Sequence, residues 1–195
     1  MQNTTNLIDT KTFSKLPCIA ELKEQSILDP YRNTAFYELK CASSKKKGAI
    51  MEKVYQQFLE NLGYKVGKSL GGTSEHDRVL YLCEDKDGKI LKVEIKGSFG
   101  WVDKKTGLIT HFRWQQIRNQ DYDVVVYLAF YPDRVEIYFS NKEEVMEYVT
   151  KQDEDGHWPC NQHGGKKENS GTYFLDGFPA DFPFMKPHDE VVLNE

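Results

Sequence analysis

Several features are scarce in this chain of 195 residues, and each scarcity narrows what it can be. The four cysteines (Cys18, Cys41, Cys83 and Cys160) are widely scattered and include no Cys-x-x-Cys pair, so a disulfide framework is excluded and a reduced intracellular setting is the simplest expectation. No stretch approaches the roughly 18 apolar residues that a membrane span needs, and the opening MQNTTNLIDTKTF has no apolar signal core. A soluble, cytoplasmic protein without membrane contact is expected. Net positive charge is lacking as well. The formal charge of -4 argues against coating nucleic acid by bulk electrostatics, but leaves room for a local basic face or an acidic metal site. His157, Cys160 and His163 lack a fourth ligand and finger spacing, so no structural zinc site is expected. There is no internal repeat and no low-complexity tract.

What is present suits a folded domain: 39% hydrophobic and 13% aromatic residues supply a core, and 29% charged residues an ordinary surface. The length fits one domain, with a helical lead-in (1–44), a core (45–150) and an extension (151–195). In the lead-in, Pro30 breaks a first partial helix, and a second short one covers Thr34 to Lys40. Ser43 and Ser44 are N-cap candidates for the next element. Ile50, Val54, Phe58 and Leu62 recur every four residues, with Met51 and Tyr55 beside them, as in an amphipathic helix that stops at Gly63. Two strands follow, RVLYLC (78–83) and KILKVEIKG, joined through an Asp87-Gly88 hairpin turn. A loop with Gly97, Gly100 and Gly107 leads to HFRWQQIRNQ (111–120), read as a short helix. DVVVYLAF (123–130) is apolar throughout, as in a strand buried on both faces. RVEIYF (134–139) returns as another strand, and Ser140 with Glu143 forms a capping box for a last helix. The order implies a small mixed α/β core. The segment after residue 150, rich in Gly, Pro and aromatics, reads as a looped extension packed on the domain and presenting side chains outward.

One constellation carries chemistry. Glu94 and Lys96 lie two apart on a strand and so share a face, opposite Leu91, Val93 and Ile95. Asp77 precedes the partner strand, and the hairpin returns that end of the chain towards Glu94 and Lys96. Two carboxylates in one pocket repel unless a cation neutralises them, and hard oxygen donors suit Mg²⁺ or Mn²⁺. A lysine beside such a metal can orient or deprotonate a water, or stabilise charge on a phosphorane. The same Glu-x-Lys pattern also arises on solvated outer faces with weak ion pairs.

In order and context these segments resemble the PD-(D/E)XK nuclease superfamily, and within it type II restriction endonucleases. The resemblance rests on EKVYQQFLENLGYKV, SEHDRVLYL, KILKVEIKGS, FRWQQIRNQDYDVVVYLAF and PDRVEIYF, and covers roughly residues 48 to 140. It implies a mixed central β-sheet flanked by helices. It matches Glu52 to an acid on the early helix, Asp77 and Glu94 to the motif acids and metal ligands, and Lys96 to the motif lysine. His76 stands where the motif has proline. The implied activity is Mg²⁺-dependent hydrolysis of double-stranded DNA at specific sites, by a homodimer if both strands are cut. Lys92, Lys104, Lys105 and Arg113 are candidates for phosphate contacts. Gln115 and Gln116 could reach a phosphate or a water next to the metal. Gln162, His163, Lys166 and Tyr173, with Lys167 and Asn169, form a candidate base-reading segment, since amide and lysine side chains match base edges. Homing, repair or junction-resolving nucleases, and a non-catalytic DNA-binding module on the same scaffold, are the alternatives.

Overall fold

The computed structural model describes residues 28–68, 81–84, 90–151, 154 and 171–188. The elements are α1 (Tyr37–Cys41), α2 (Ser44–Asn61), β1 (Lys65–Lys68), β2 (Tyr81–Glu84), β3 (Ile90–Phe99), β4 (Trp101–Val102), β5 (Ile109–Ile117), β6 (Val124–Phe130), β7 (Val135–Asn141), α3 (Lys142–Thr150), β8 (Tyr173–Gly177) and β9 (Lys186–Pro187). Six strands form a central sheet in the order β1-β2-β3-β6-β7-β9, and β4-β5-β8 form a second, smaller sheet. Neighbours in the central sheet are antiparallel, except that β3 and β6 run parallel. The expected mixed sheet with flanking helices is therefore present.

The β6 strand explains the layering. Its alternate residues serve two cores, one on each face of the central sheet. Val126, Leu128 and Phe130 join Met51, Tyr55 and Leu59 of α2 on one side. Val125, Tyr127 and Ala129 join Phe112 and Trp114 of β5, Tyr173 and Leu175 of β8, and Val145 and Val149 of α3 on the other. A strand covered on both faces needs apolar residues at every position, which is why VVVYLAF shows no period of two.

Ser43 caps α2 as expected, its side chain accepting from the Lys46 amide. Gly63 ends the helix at φ 87°. The buried stripe of α2 is Met51, Tyr55 and Leu59 rather than the Ile50 to Leu62 series, and Leu62 is 55% exposed. Tyr31 anchors the chain ahead of α1. Its hydroxyl donates to the Phe130 carbonyl (2.5 Å) and accepts from the Gly100 amide (2.9 Å). At the far end, α3 starts one residue later than the sequence suggests. Asn141 is the cap, its amide donating to Glu144, because Ser140 faces inward onto the Tyr127 hydroxyl.

Two expectations fail. Residues 109–117 form a strand, not a helix. Phe112 and Trp114 alternate inward, then a one-residue bulge at Gln116 brings Ile117 inward three residues after Trp114. That spacing of three imitates a helical period. The extension packs on the domain as expected, but through a strand and core residues rather than as a loop whose side chains face outward. Tyr173 and Leu175 lie on β8, and Phe182, Phe184 and Met185 are buried beyond it.

Candidate active site

The parallel register sets Glu94, Lys96 and Ser98 beside Val125, Tyr127 and Ala129, on the face of the central sheet that β5 covers. Glu94 and Lys96 are consequently buried, each side chain only 4% exposed, and Lys96 Nζ donates to Glu94 Oε1 at 2.5 Å. The solvated-face explanation of the Glu-x-Lys pattern is excluded by this burial. Several kcal/mol of desolvation oppose burying each ion, so a pair kept here in place of apolar residues asks for a reason beyond stability. The Glu94 charge reaches its surroundings. The Tyr122 phenol is pushed up, first by its own burial and then by that carboxylate.

Lys96 belongs to the lining of a cleft of about 710 Å³ between the first half of α2 and the bulged part of β5. Glu52, Lys45 and Lys47 line the α2 side, and Arg113, Gln115 and Gln116 the β5 side. The approach of α2 depends on Gly97. A Cβ there would sit 2.1 Å from Met51 Sδ, so glycine lets the helix bearing Glu52 settle onto the strand bearing Lys96. Gln116 has φ 62°, a left-handed conformation that side chains other than glycine adopt at a cost. The bulge that forces this conformation also places Gln116 in the cleft wall. Ser98 Oγ accepts from the Arg113 amide at 2.9 Å and ties β5 to the motif strand.

The structure thus brings Glu52, Lys96, Arg113 and Gln115 into one cleft lining, with Glu94 bonded to Lys96, and separates others from it. Lys92 pairs with Asp121 at 2.7 Å instead of joining a basic cluster. Lys104 and Lys105 are exposed in the turn after β4, which Asp103 organises by accepting from the Lys105 and Thr106 amides. Lys104 lines a second cavity, together with Leu28, Asp29 and Lys40. Tyr173 cannot read bases in this structure. It is fully buried opposite Ile117, and alternation along β8 turns it into the core. Asp77, Gln162, His163 and Lys166 lie outside the described residues.

Glu94 and Glu52 are donors of the kind Mg²⁺ prefers, carboxylate oxygens, of which Glu52 lies in the cleft lining and Glu94 is held by Lys96. Among the described residues no three His, Cys, Asp or Glu side chains converge into a metal cage. No helix among them is long and apolar enough to cross a membrane.

Known proteins add little to this geometry. No protein-family model matches the chain, and no curated protein matches it. One matching solved structure is described as that of a bacterial homing endonuclease, I-Ssp6803I. It is 25% identical, 60% of this chain and 83% of that chain are covered, and the TM-score is 0.39. Similarity that loose decides neither fold nor chemistry, and the functional reading stands on the cleft itself.

Three cleft residues escaped the sequence reading. Lys45 and Lys47 flank Lys46 in the first turn of α2, where the helix dipole disfavours cations and no acidic residue offsets them. That mismatch was a usable signal. Trp101, also in the lining, is 52% exposed. Its only mark in the sequence was a large aromatic in a glycine-flanked loop.

Proposed function

We propose that this chain is a Mg²⁺-dependent endonuclease that hydrolyses double-stranded DNA, with Glu94 and Lys96 at its centre. The observation that carries the reading is the buried Glu94–Lys96 pair, whose lysine belongs to the lining of a cleft that also includes Glu52, Arg113 and two glutamines. An ordinary surface pair has neither the burial nor the cleft. Asp77 is proposed as the second acid. It lies four residues before Tyr81, which pairs with Val93 next to Glu94, so chain length alone keeps it within about 14 Å of Tyr81.

In this reading Glu94 and Asp77 hold the cation, with Glu52 as a supporting ligand or orienting group. Bound there, Mg²⁺ supplies Lewis acidity and lowers the pKa of a coordinated water. Glu94 fixes the Lys96 ammonium, and Lys96 sets positive charge where the pentavalent phosphorus gathers negative charge. Arg113, Gln115 and Gln116 contact the flanking phosphate oxygens from the β5 wall, and Lys45 and Lys47 do so from α2. Site-specific cleavage of the type II restriction kind is the proposed biological role, with a homodimer cutting both strands. Gln162, His163 and Lys166 remain its proposed base readers. The test is incubation of plasmid and phage DNA with the protein and Mg²⁺, on unmethylated and methylated substrates. Discrete bands support a specific enzyme and a smear a non-specific nuclease. Unchanged DNA refutes the nuclease reading and leaves a binding module.

A further inference from the structure

Trp101 stands on the wall shared by the candidate active-site cleft and the second cavity, and half of its large side chain faces solvent. It is also held in place. Its backbone follows Gly100, where a Cβ would meet Ile109 at 2.6 Å and whose amide bonds to the Tyr31 hydroxyl. Its ring stacks on that of His111, its cross-strand partner, at 5.4 Å and 17°. The Arg113 guanidinium lies over the indole ring, 5.3 Å from its centroid, and over the Phe174 ring at 5.2 Å. Asp176 in turn fixes the arginine as its acceptor, and its other oxygen lies 3.3 Å from His111 Nε2. An indole held by His111 and Arg113 yet 52% exposed, at the rim of a cleft lined by Lys45 and Lys47, has the two elements that grip unpaired nucleic acid: an exposed stacking surface and phosphate contacts.

We propose that Trp101 is a stacking platform for one nucleobase that is out of the helix, and that the cleft therefore prefers DNA with an unstacked base beside the bound phosphates. Bases inside an intact duplex already have both faces covered, so the indole has nothing to stack on there. A bulged, flipped or single-stranded base offers a free face. The identification of the ligand as DNA rests on the proposed function, while the preference itself is a property of Trp101.

Binding of the full-length protein is measured in EDTA by fluorescence anisotropy. The probes are an intact duplex, the same duplex with a one-nucleotide bulge, and that duplex with the bulged nucleotide abasic. The expected result is binding to the base-bearing bulge about five-fold or more tighter than to either control, the scale of one base–aromatic stack. Trp101→Ala should bind all three alike, and Trp101→Phe should keep part of the preference. Equal affinity of the wild-type protein for the bulge and its abasic form, or full preference in Trp101→Ala, would overturn the platform. Cleavage with Mg²⁺ is scored separately. Cutting without the bulge preference overturns the platform alone, whereas the preference without cutting supports the platform and overturns the nuclease. A protein that binds none of the probes overturns both.

Discussion

Removing the Lys96 ammonium should reveal what the motif pair does to stability. Lys96→Met keeps the length of the side chain but leaves the Glu94 carboxylate without its nearest cation in a site where 4% of the side chain is exposed. Opposite unit charges 2.5 Å apart attract by about 6–7 kcal/mol at an effective dielectric near 20. Desolvation of the two ions offsets much of that attraction, so the intact pair contributes little net stability. Breaking it from one side is different, because the remaining ion keeps its desolvation cost and loses the Lys96 charge. The expected loss for Lys96→Met is about 3–5 kcal/mol, read from urea unfolding at pH 7. Glu94→Gln with Lys96→Met should recover most of it, giving a coupling energy of about 2 kcal/mol or more in the double-mutant cycle. If Lys96→Met costs under about 1 kcal/mol and the cycle shows no coupling, the pair behaves as an exposed one and the burial argument fails.

Two further predictions follow from the packing. Gly97→Ala should cost about 1–3 kcal/mol through overpacking against Met51 and should lower activity by displacing Glu52. Adding Met51→Ala should relieve the clash, and a Gly97→Ala protein as stable as the wild type would disprove the close approach. Tyr31 gives a pH signature. Burial, the first cause, pushes its phenol from 10.0 up to about 12. The folded value lies above the unfolded one, so the stability it contributes is full below pH 10 and is lost as pH rises through about 12, about 2–3 kcal/mol in all. Wild type and Tyr31→Phe should therefore converge in stability across that window, measured by alkaline titration of urea unfolding, and curves that stay parallel would contradict the assignment.

The parts of the fold legible in the sequence were those set by one dominant signal. The α2 start and stop were local, carried by Ser43 and Gly63. The β3 and β6 strands were long and committed, and the antiparallel β2–β3 pairing was expected from the turn between them. The β5 strand was misread because the Gln116 bulge replaces a period of two with a step of three, and nothing local announces a bulge formed against β8, a strand some 60 residues later in sequence. Tyr173 was misplaced for a related reason. A single short strand in a Gly-rich context has too few positions to show which side is buried. At the site, the shared face of Glu94 and Lys96 followed from strand geometry, but their burial depends on β5 folding over them, which is tertiary. The meeting of Glu52, Arg113 and Gln115 with Lys96 in one cleft likewise depends on how α2 and β5 pack on β3, and no spacing within any of these segments encodes it.

The most direct test of the proposed centre is cleavage of DNA by wild type, Glu94→Ala and Lys96→Ala with Mg²⁺, alongside DNA binding in EDTA and a thermal unfolding check. The account predicts that wild type cuts, that neither variant does even where it remains folded, and that both still bind DNA. Full cleavage by a folded Lys96→Ala or Glu94→Ala protein, or no cleavage by the wild type, would contradict it.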